Sequence, residues 1–268
     1  MGHPAGSPGA TMGRKRKFAW IFGFVCLWSG ISWAQETEKY HVALEGRYWY
    51  PKLHSTIKIV KNHIGTEING VDDLSWDEEK GFAEGRLQIK IFRYHKFNFS
   101  YLPLKWEGDR MIARNIQFSE QTYPAGTRVQ SKAEAKLFKG GYEYEFFGGW
   151  VGFFAATVDV LLADASVQLK AQGPGMDQKE HSTIPIPMLG LNSRMHLGKY
   201  VDLTAKISGL PAGQYGYIYD LDGSLDINPL KYLGISFGYR FLGARAKYGD
   251  NLVDIKLNGP FASLNIRF

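Results

Sequence analysis

Along most of this chain apolar and polar residues alternate with a period of two, the spacing that sends successive side chains to opposite faces of a β-strand. Ala83, Gly85, Leu87, Ile89 and Ile91 alternate with Glu84, Arg86, Gln88 and Lys90. Val201, Leu203, Ala205 and Ile207 alternate with Asp202, Thr204, Lys206 and Ser208. Further on, Leu221, Gly223, Leu225 and Ile227 stand against Asp220, Asp222, Ser224 and Asp226, and Leu233, Ile235, Phe237, Tyr239 and Phe241 against Gly234, Ser236, Gly238 and Arg240. One wholly apolar face and one face of long polar side chains fit a strand with lipid on one side and a polar lumen on the other.

Ten such runs can be placed, starting near Tyr40, Phe82, Phe97, Arg128, Trp150, Thr183, Val201, Tyr215, Leu233 and Val253. Two of them change phase. Arg128, Gln130, Lys132, Glu134 and Lys136 form the polar face of the fourth, and a one-residue slip near Phe138, a bulge, then turns Tyr142, Tyr144 and Phe146 outward. In the last run Val253, Ile255 and Leu257 oppose Asp254, Lys256 and Asn258; after Gly259-Pro260 the apolar set becomes Ala262, Leu264, Ile266 and Phe268.

Tight turns are predicted at Tyr94-His95-Lys96, Phe147-Gly148-Gly149, Gly198-Lys199 and 228–231, with a polar loop over 173–182. Short turns alternating with longer connections are the rhythm of outer-membrane barrels. An even strand number puts both chain ends on the periplasmic side. The expected fold is therefore all-β, a single antiparallel up-and-down transmembrane β-barrel of about ten strands. Twelve is the alternative, because Thr56-Ile57-Lys58-Ile59-Val60 and Thr66-Glu67-Ile68-Asn69 could form one more hairpin. A spanning chain without long apolar helices must close its sheet, since lipid cannot satisfy an open edge.

The one continuous apolar run is Phe18 to Ile31, about 14 residues, short of the roughly 20 that a spanning helix needs. Arg14-Lys15-Arg16-Lys17 precede it and Ser32-Trp33-Ala34 follow it, so residues 1–34 read as a signal peptide cleaved after Ala34, with a surplus start before Met12. Residues 35–268 are then the barrel. The formal charge of +6 shrinks on cleavage, because the leader holds four of the 32 basic residues and no acid, leaving 28 against 26 acidic. That balance does not call for nucleic acid. Aromatic residues make up 15% and there are 31 glycines, a mixture that suits membrane strands with interfacial girdles. The single cysteine, Cys26, falls inside the leader, so disulfides and thiol catalysis are excluded from the mature chain.

Candidate chemistry is sparse. His54-Ser55 and His181-Ser182 are neighbours, but adjacent strand residues face opposite ways, so neither makes a dyad by adjacency. His196 falls on the inner face. The acidic run Asp72 to Glu79 could hold calcium but lacks the spacing of a calcium loop and reads as a solvated external loop. Asp220, Asp222 and Asp226 could line a cation path or pair with Arg240 and Ser236; pairing is the preferred reading. The expected inner-face charges are mixed: Glu84, Arg86, Lys90, Arg128, Lys132, Glu134, Lys136, Asp202, Lys206, Arg240, Lys256 and Arg267. Mixed signs in a narrow lumen favour a salt-bridged plug over an ion-selective ring. No catalytic, cofactor or metal site is assigned.

Arg47-Tyr48-Trp49-Tyr50-Pro51, Asp72-Asp73-Leu74, Tyr101, Glu107-Gly108, Tyr142-Glu143-Tyr144, Pro187-Met188-Leu189-Gly190, Gly238-Tyr239-Arg240 and Gly259-Pro260 carry a resemblance that covers nearly all of residues 35–268. The chain resembles a family of small, uncharacterised outer-membrane β-barrel proteins of Gram-negative bacteria. The resemblance implies fold and location but no site residues. It also implies that the terminal strand ending in Phe268 is read by the barrel assembly machinery, with outer-membrane lipid and lipopolysaccharide as surroundings. The function expected is a non-enzymatic integral barrel with a structural or surface-interaction role. A narrow pore or small-solute channel is the alternative, and a lipid-modifying enzyme the third reading.

Overall fold

The computed structural model describes residues 40–58, 66–119, 121–171 and 176–268; the predicted leader and its cleavage site lie outside the described residues. The strands are β1 (Val42–Trp49), β2 (Lys52–Lys58), β3 (Glu67–Asn69), β4 (Phe82–Phe92), β5 (His95–Met111), β6 (Ile116–Phe118), β7 (Gln121–Tyr123), β8 (Arg128–Gly149), β9 (Gly152–Ala171), β10 (Asp177–His196), β11 (Val201–Pro211), β12 (Gly216–Ile227), β13 (Leu233–Tyr248) and β14 (Asn251–Arg267). A short helix, α1 (Gly70–Leu74), follows β3. No described helix is long and apolar enough to cross a membrane; the crossing is made by strands.

Ten strands close one antiparallel barrel in the order β1–β4–β5–β8–β9–β10–β11–β12–β13–β14, and β14 returns to β1 from Ala43↔Arg267 to Trp49↔Phe261. Closure leaves no barrel edge for lipid to solvate. The last residue belongs to the seam: the Phe268 N–H donates to Val42 O at 2.8 Å, and its own carbonyl accepts from His41 N at 2.7 Å.

The extra hairpin considered from the sequence exists, but it adds no stave. β2 continues β1 along β14 in one register, Trp49 facing Phe261 and Lys52 facing Asn258. The break between them is Tyr50-Pro51, and Pro51 has no N–H to offer a ladder. The chain approaches closely there: a Cβ on Gly259 would lie 2.2 Å from the Tyr50 carbonyl oxygen. β3 folds back on β2 by the pairs Thr56↔Asn69 to Lys58↔Glu67, so the barrel count stays at ten.

The strands are long. β8 has 22 residues and β9 and β10 have 20 each, about twice the 9–11 that cross a bilayer. The wall therefore has two halves. Near the chain ends, Leu44, Phe99, Leu203, Leu225 and Phe237 are exposed on the outside while charged side chains face in. In the other half Trp49, Leu102, Trp106, Val129 and Leu169 are buried inside and polar residues stand outside. Tyr101 beside Phe138 (ring centroids 4.7 Å apart) and Tyr239 beside Phe241 (4.9 Å) mark the boundary, where amphipathic rings sit well.

This inversion corrects several expectations. Arg128, Lys132, Glu134, Lys136 and Lys256 point outward, not into the lumen, because the strand there is bathed by water and the apolar Val129, Ala133 and Leu257, with the small Ser131, turn inward. The slip near Phe138 is absent: β5 and β8 pair without a break from His95↔Tyr144 to Met111↔Arg128. The irregularity in β8 falls instead between Glu145 and Phe147. The first tight turn is confined to Arg93-Tyr94, which puts His95 and Lys96 on β5, and 147–149 belong to β8. β10 begins at Asp177, inside the stretch expected to be a loop.

Candidate functional site in the barrel lumen

At the level of the lipid band, the inner face is held together by ion pairs that cross the lumen. Arg47 on β1 reaches Glu45 at 2.9 Å and also binds Asp222 on β12. Arg86 on β4 lies 3.0 Å from Glu84 and 3.2 Å from Asp222. Arg240 on β13 bonds Asp220 at 2.8 Å and Glu84 at 3.0 Å, and Lys139 on β8 completes Asp220 at 2.8 Å. Taking a charge out of water costs several kcal/mol, and only close, multiple pairing offsets it. Here Asp222, Glu84 and Asp220 are each shared by cations from different strands, so the network ties opposite walls together.

An aromatic floor lies on top of this layer. The Arg47 guanidinium sits 3.6 Å from the centroid of Phe261, and that of Arg240 lies 4.9 Å from Trp49. Above it begins an apolar core containing Leu102, Leu104, Trp106, Ile116, Phe118 and Tyr123. The loops close this core from outside. Trp76 Nε1 donates to Ser131 Oγ at 2.9 Å, the Tyr123 hydroxyl donates to Leu169 O at 3.0 Å, and Ser119 Oγ donates to Glu180 at 2.7 Å. Burial pushes the Tyr123 phenol up to about 12.

Nearer the chain ends, Lys96 lies 3.5 Å from both Glu143 and Glu145, and His196 Nδ1 is 2.7 Å from Asp202. Between these groups and the arginine layer is a cavity of about 120 Å³, with Glu45, Arg86, Lys139, Glu143, Asp159, Asn192, Arg194 and Lys206 in its wall. It extends to Tyr40 and Arg267 beside the termini.

The residues singled out from the sequence take these places. Asp220 and Asp222 pair with arginines as preferred; Asp226 accepts from Thr204 Oγ1 at 2.5 Å and from Ser224 Oγ at 2.9 Å. His196 is a bonded lumen residue. His54 faces out and Ser55 faces in, where its Oγ is buried. His181 faces out and bonds Asp164 at 2.6 Å, while Ser182 belongs to the other face. The acidic run is not a free loop. Asn69 caps α1 by accepting from Val71 N and Asp72 N, the Asp73 carboxylate takes Arg114 at 2.5 and 3.1 Å, the Asp72 carbonyl accepts from Arg110, and Glu78 pairs with Lys52 at 2.9 Å. Burial works to raise Asp73, but the hydrogen bonds from Arg114 and the Asn69 N–H hold it below the usual carboxylate range. Among the described residues no group of three or more His, Cys, Asp or Glu side chains could hold a metal.

Sequence reasoning missed the cavity and every cross-lumen partner. Arg47 and Asp222 are 175 positions apart, and period-two alternation reports which face a residue takes, not which residue it meets.

This architecture is shared with known proteins. The crystal structure of the outer membrane protease OmpT from Escherichia coli matches with a TM-score of 0.53 at 5% identity, over 90% of this chain and 99% of OmpT. The toluene transporter TodX of Pseudomonas putida gives 0.35 at 8% identity, covering 85% of this chain and 90% of TodX. Ail, the attachment invasion locus protein of Yersinia pestis, gives 0.31 at 8% identity, covering 83% and 99%. No protein-family model matches the chain, and the curated proteins give no match. At these identities the likeness concerns the fold alone. With the closed sheet and the lipid-facing band, it defines the protein as an outer-membrane β-barrel of the Gram-negative type, located in the outer membrane.

Proposed function

We propose that the protein is a non-conducting, non-enzymatic barrel with a structural or surface-interaction role. The observation that carries this reading is the filled lumen: ion pairs bridge it at the lipid level and an apolar core occupies it above. A wall of ten strands has an interior that side chains can nearly fill. The half outside the lipid band, with its loop cap and charged outer face, is then what the protein offers to its surroundings. OmpT is a protease. The histidines and serines at His54-Ser55 and His181-Ser182 do not converge. Single-channel recording on purified protein in planar bilayers is expected to show no discrete openings; reproducible conductance steps would replace this reading with the narrow-pore one. Peptide-library and lipid A analyses are expected to show no turnover.

The partners follow from the surface. The exposed apolar band is matched to outer-membrane lipid, and the charged wall above it to lipopolysaccharide headgroups. The seam at Phe268, 68% exposed, is proposed as the end read by the barrel assembly machinery. Deleting Phe268 should lower the heat-modifiable barrel recovered from outer membranes while leaving export intact. Undiminished recovery would remove that role.

A further inference from the structure

The lower lumen contains two opposite charges that face one cavity and do not pair. Among the described residues Lys206 forms no hydrogen bond and no ion pair within 4 Å, and it lines the cavity from β11. Asp159, 6% exposed, lines it from β9; its one side-chain partner is Thr157 Oγ1 at 3.4 Å. In the arginine layer each carboxylate has a cation against it, and Asp226 has two hydroxyls. Such unpaired charge at the level of the lipid band is costly unless something else answers it.

One further atom is unanswered in the same wall. Asn192 is 2% exposed and donates to Glu143 at 2.9 Å, but its own Oδ1 has no donor; the other Glu143 oxygen lies 3.5 Å from Lys96. Asn192 faces Lys206 directly in the β10–β11 ladder, so the donor and this acceptor stand side by side. The wall is also kept open where a side chain would close it. A Cβ on Gly141 would fall 1.8 Å from Asp159 Oδ1, and one on Gly190 would fall 2.6 Å from Thr157 Oγ1.

We propose that this cavity is a binding site for a small zwitterion, an α-amino acid of glycine or alanine size, entering from the end that carries the chain termini. The guest's ammonium answers Asp159 and Asn192 Oδ1; its carboxylate answers Lys206. The charge balance favours this class: one cation and one anion, each without an ion pair within 4 Å, call for a guest with both signs and no net charge. Size agrees. A dry cavity of about 150 Å³ accommodates benzene, six heavy atoms, so 120 Å³ suits a molecule of about five or six. Entry runs past Tyr40 and Arg267, because the arginine layer and aromatic floor close the other direction.

The test uses the full-length barrel folded in detergent micelles, with isotope-labelled glycine and alanine as probes and saturation followed by NMR and calorimetry. Acetate and methylammonium serve as single-charge controls. Saturable binding of glycine or alanine, at least tenfold tighter than either control, is the expected result. Lys206→Met should weaken the amino acid by tenfold or more and leave methylammonium unchanged. Binding of acetate as tight as glycine would make this an anion site and overturn the proposal. Absence of saturable binding by any probe would mean that ordered waters fill the cavity, which overturns it equally. The wild-type control series decides the question even where Lys206→Met does not fold.

Discussion

Below the level of Tyr101 and Phe138 the wall is apolar outside and charged inside; above it the same strands are polar outside and apolar inside. No strand changes register between the two regions along β5–β8 or along β14. What changes is the solvent beyond the wall. In the lower half hydrocarbon takes the outer face, so apolar side chains gain nothing by turning in and the polar set is left to satisfy itself in the lumen. In the upper half water takes the outer face, and burying Trp49, Leu102 and Leu169 is favourable by the ordinary hydrophobic term, roughly 25 cal/mol per Å². One barrel thus holds a membrane protein's interior and a soluble protein's core, end to end.

The comparison breaks first at the lower interior. Glu84 accepts charge from Arg240 and Arg86 and lies 3.9 Å from Arg47. Glu84→Leu leaves these arginines short of a partner, and removing one member of a buried pair costs about 3–5 kcal/mol. Urea unfolding of the detergent-folded barrel should show that loss. A cost under about 1 kcal/mol would mean the lower lumen is as wet as the outside.

A smaller effect locates the boundary. Leu87→Arg, outward in the lower half, should cost roughly 2–4 kcal/mol in liposomes, while Gln130→Arg, outward in the upper half, should stay within about 0.5 kcal/mol. Similar costs at the two positions would mean that both face lipid or both face water.

Much of this was legible in the sequence, and the illegible part has one cause. The inner and outer faces of Glu84 to Lys90, Asp202 to Ser208 and Asp220 to Asp226 follow from alternation alone, because a uniform solvent lies beyond each run. Alternation assigns faces correctly only while that solvent stays the same. At Phe138 and at Gly259-Pro260 the apolar set changes parity with no residue inserted, which in one solvent means a bulge and across two means a waterline. Partners across the lumen, the closure of the cap and the Lys206 cavity depend on tertiary placement, and no spacing along the chain encodes them.

The last and smallest effect compares one kind of ion pair on the two sides of the waterline. The Asp73–Arg114 pair in the cap has Arg114 half exposed and Asp73 at 17%, so water and salt screen it, and about 0.5–1 kcal/mol is its expected worth. Asp73 is held below its unfolded value of about 3.9, so its contribution is fully present above pH 4. It is lost as pH falls through the depressed folded value, because protonation then removes the charge Arg114 answers. Arg114 keeps its proton throughout. Hydrogen-exchange protection of the α1 amides should therefore fall as pH drops below about 4, and 1 M salt at pH 7 should lower it too. Asp73→Asn should remove both dependences. The amides of β1 around Arg47, which sit beside ion pairs shielded by the wall, should keep their protection in the same salt. Loss of protection in both places would show that salt reaches the lumen, and the contrast between a dry lower interior and a wet cap would have to be abandoned.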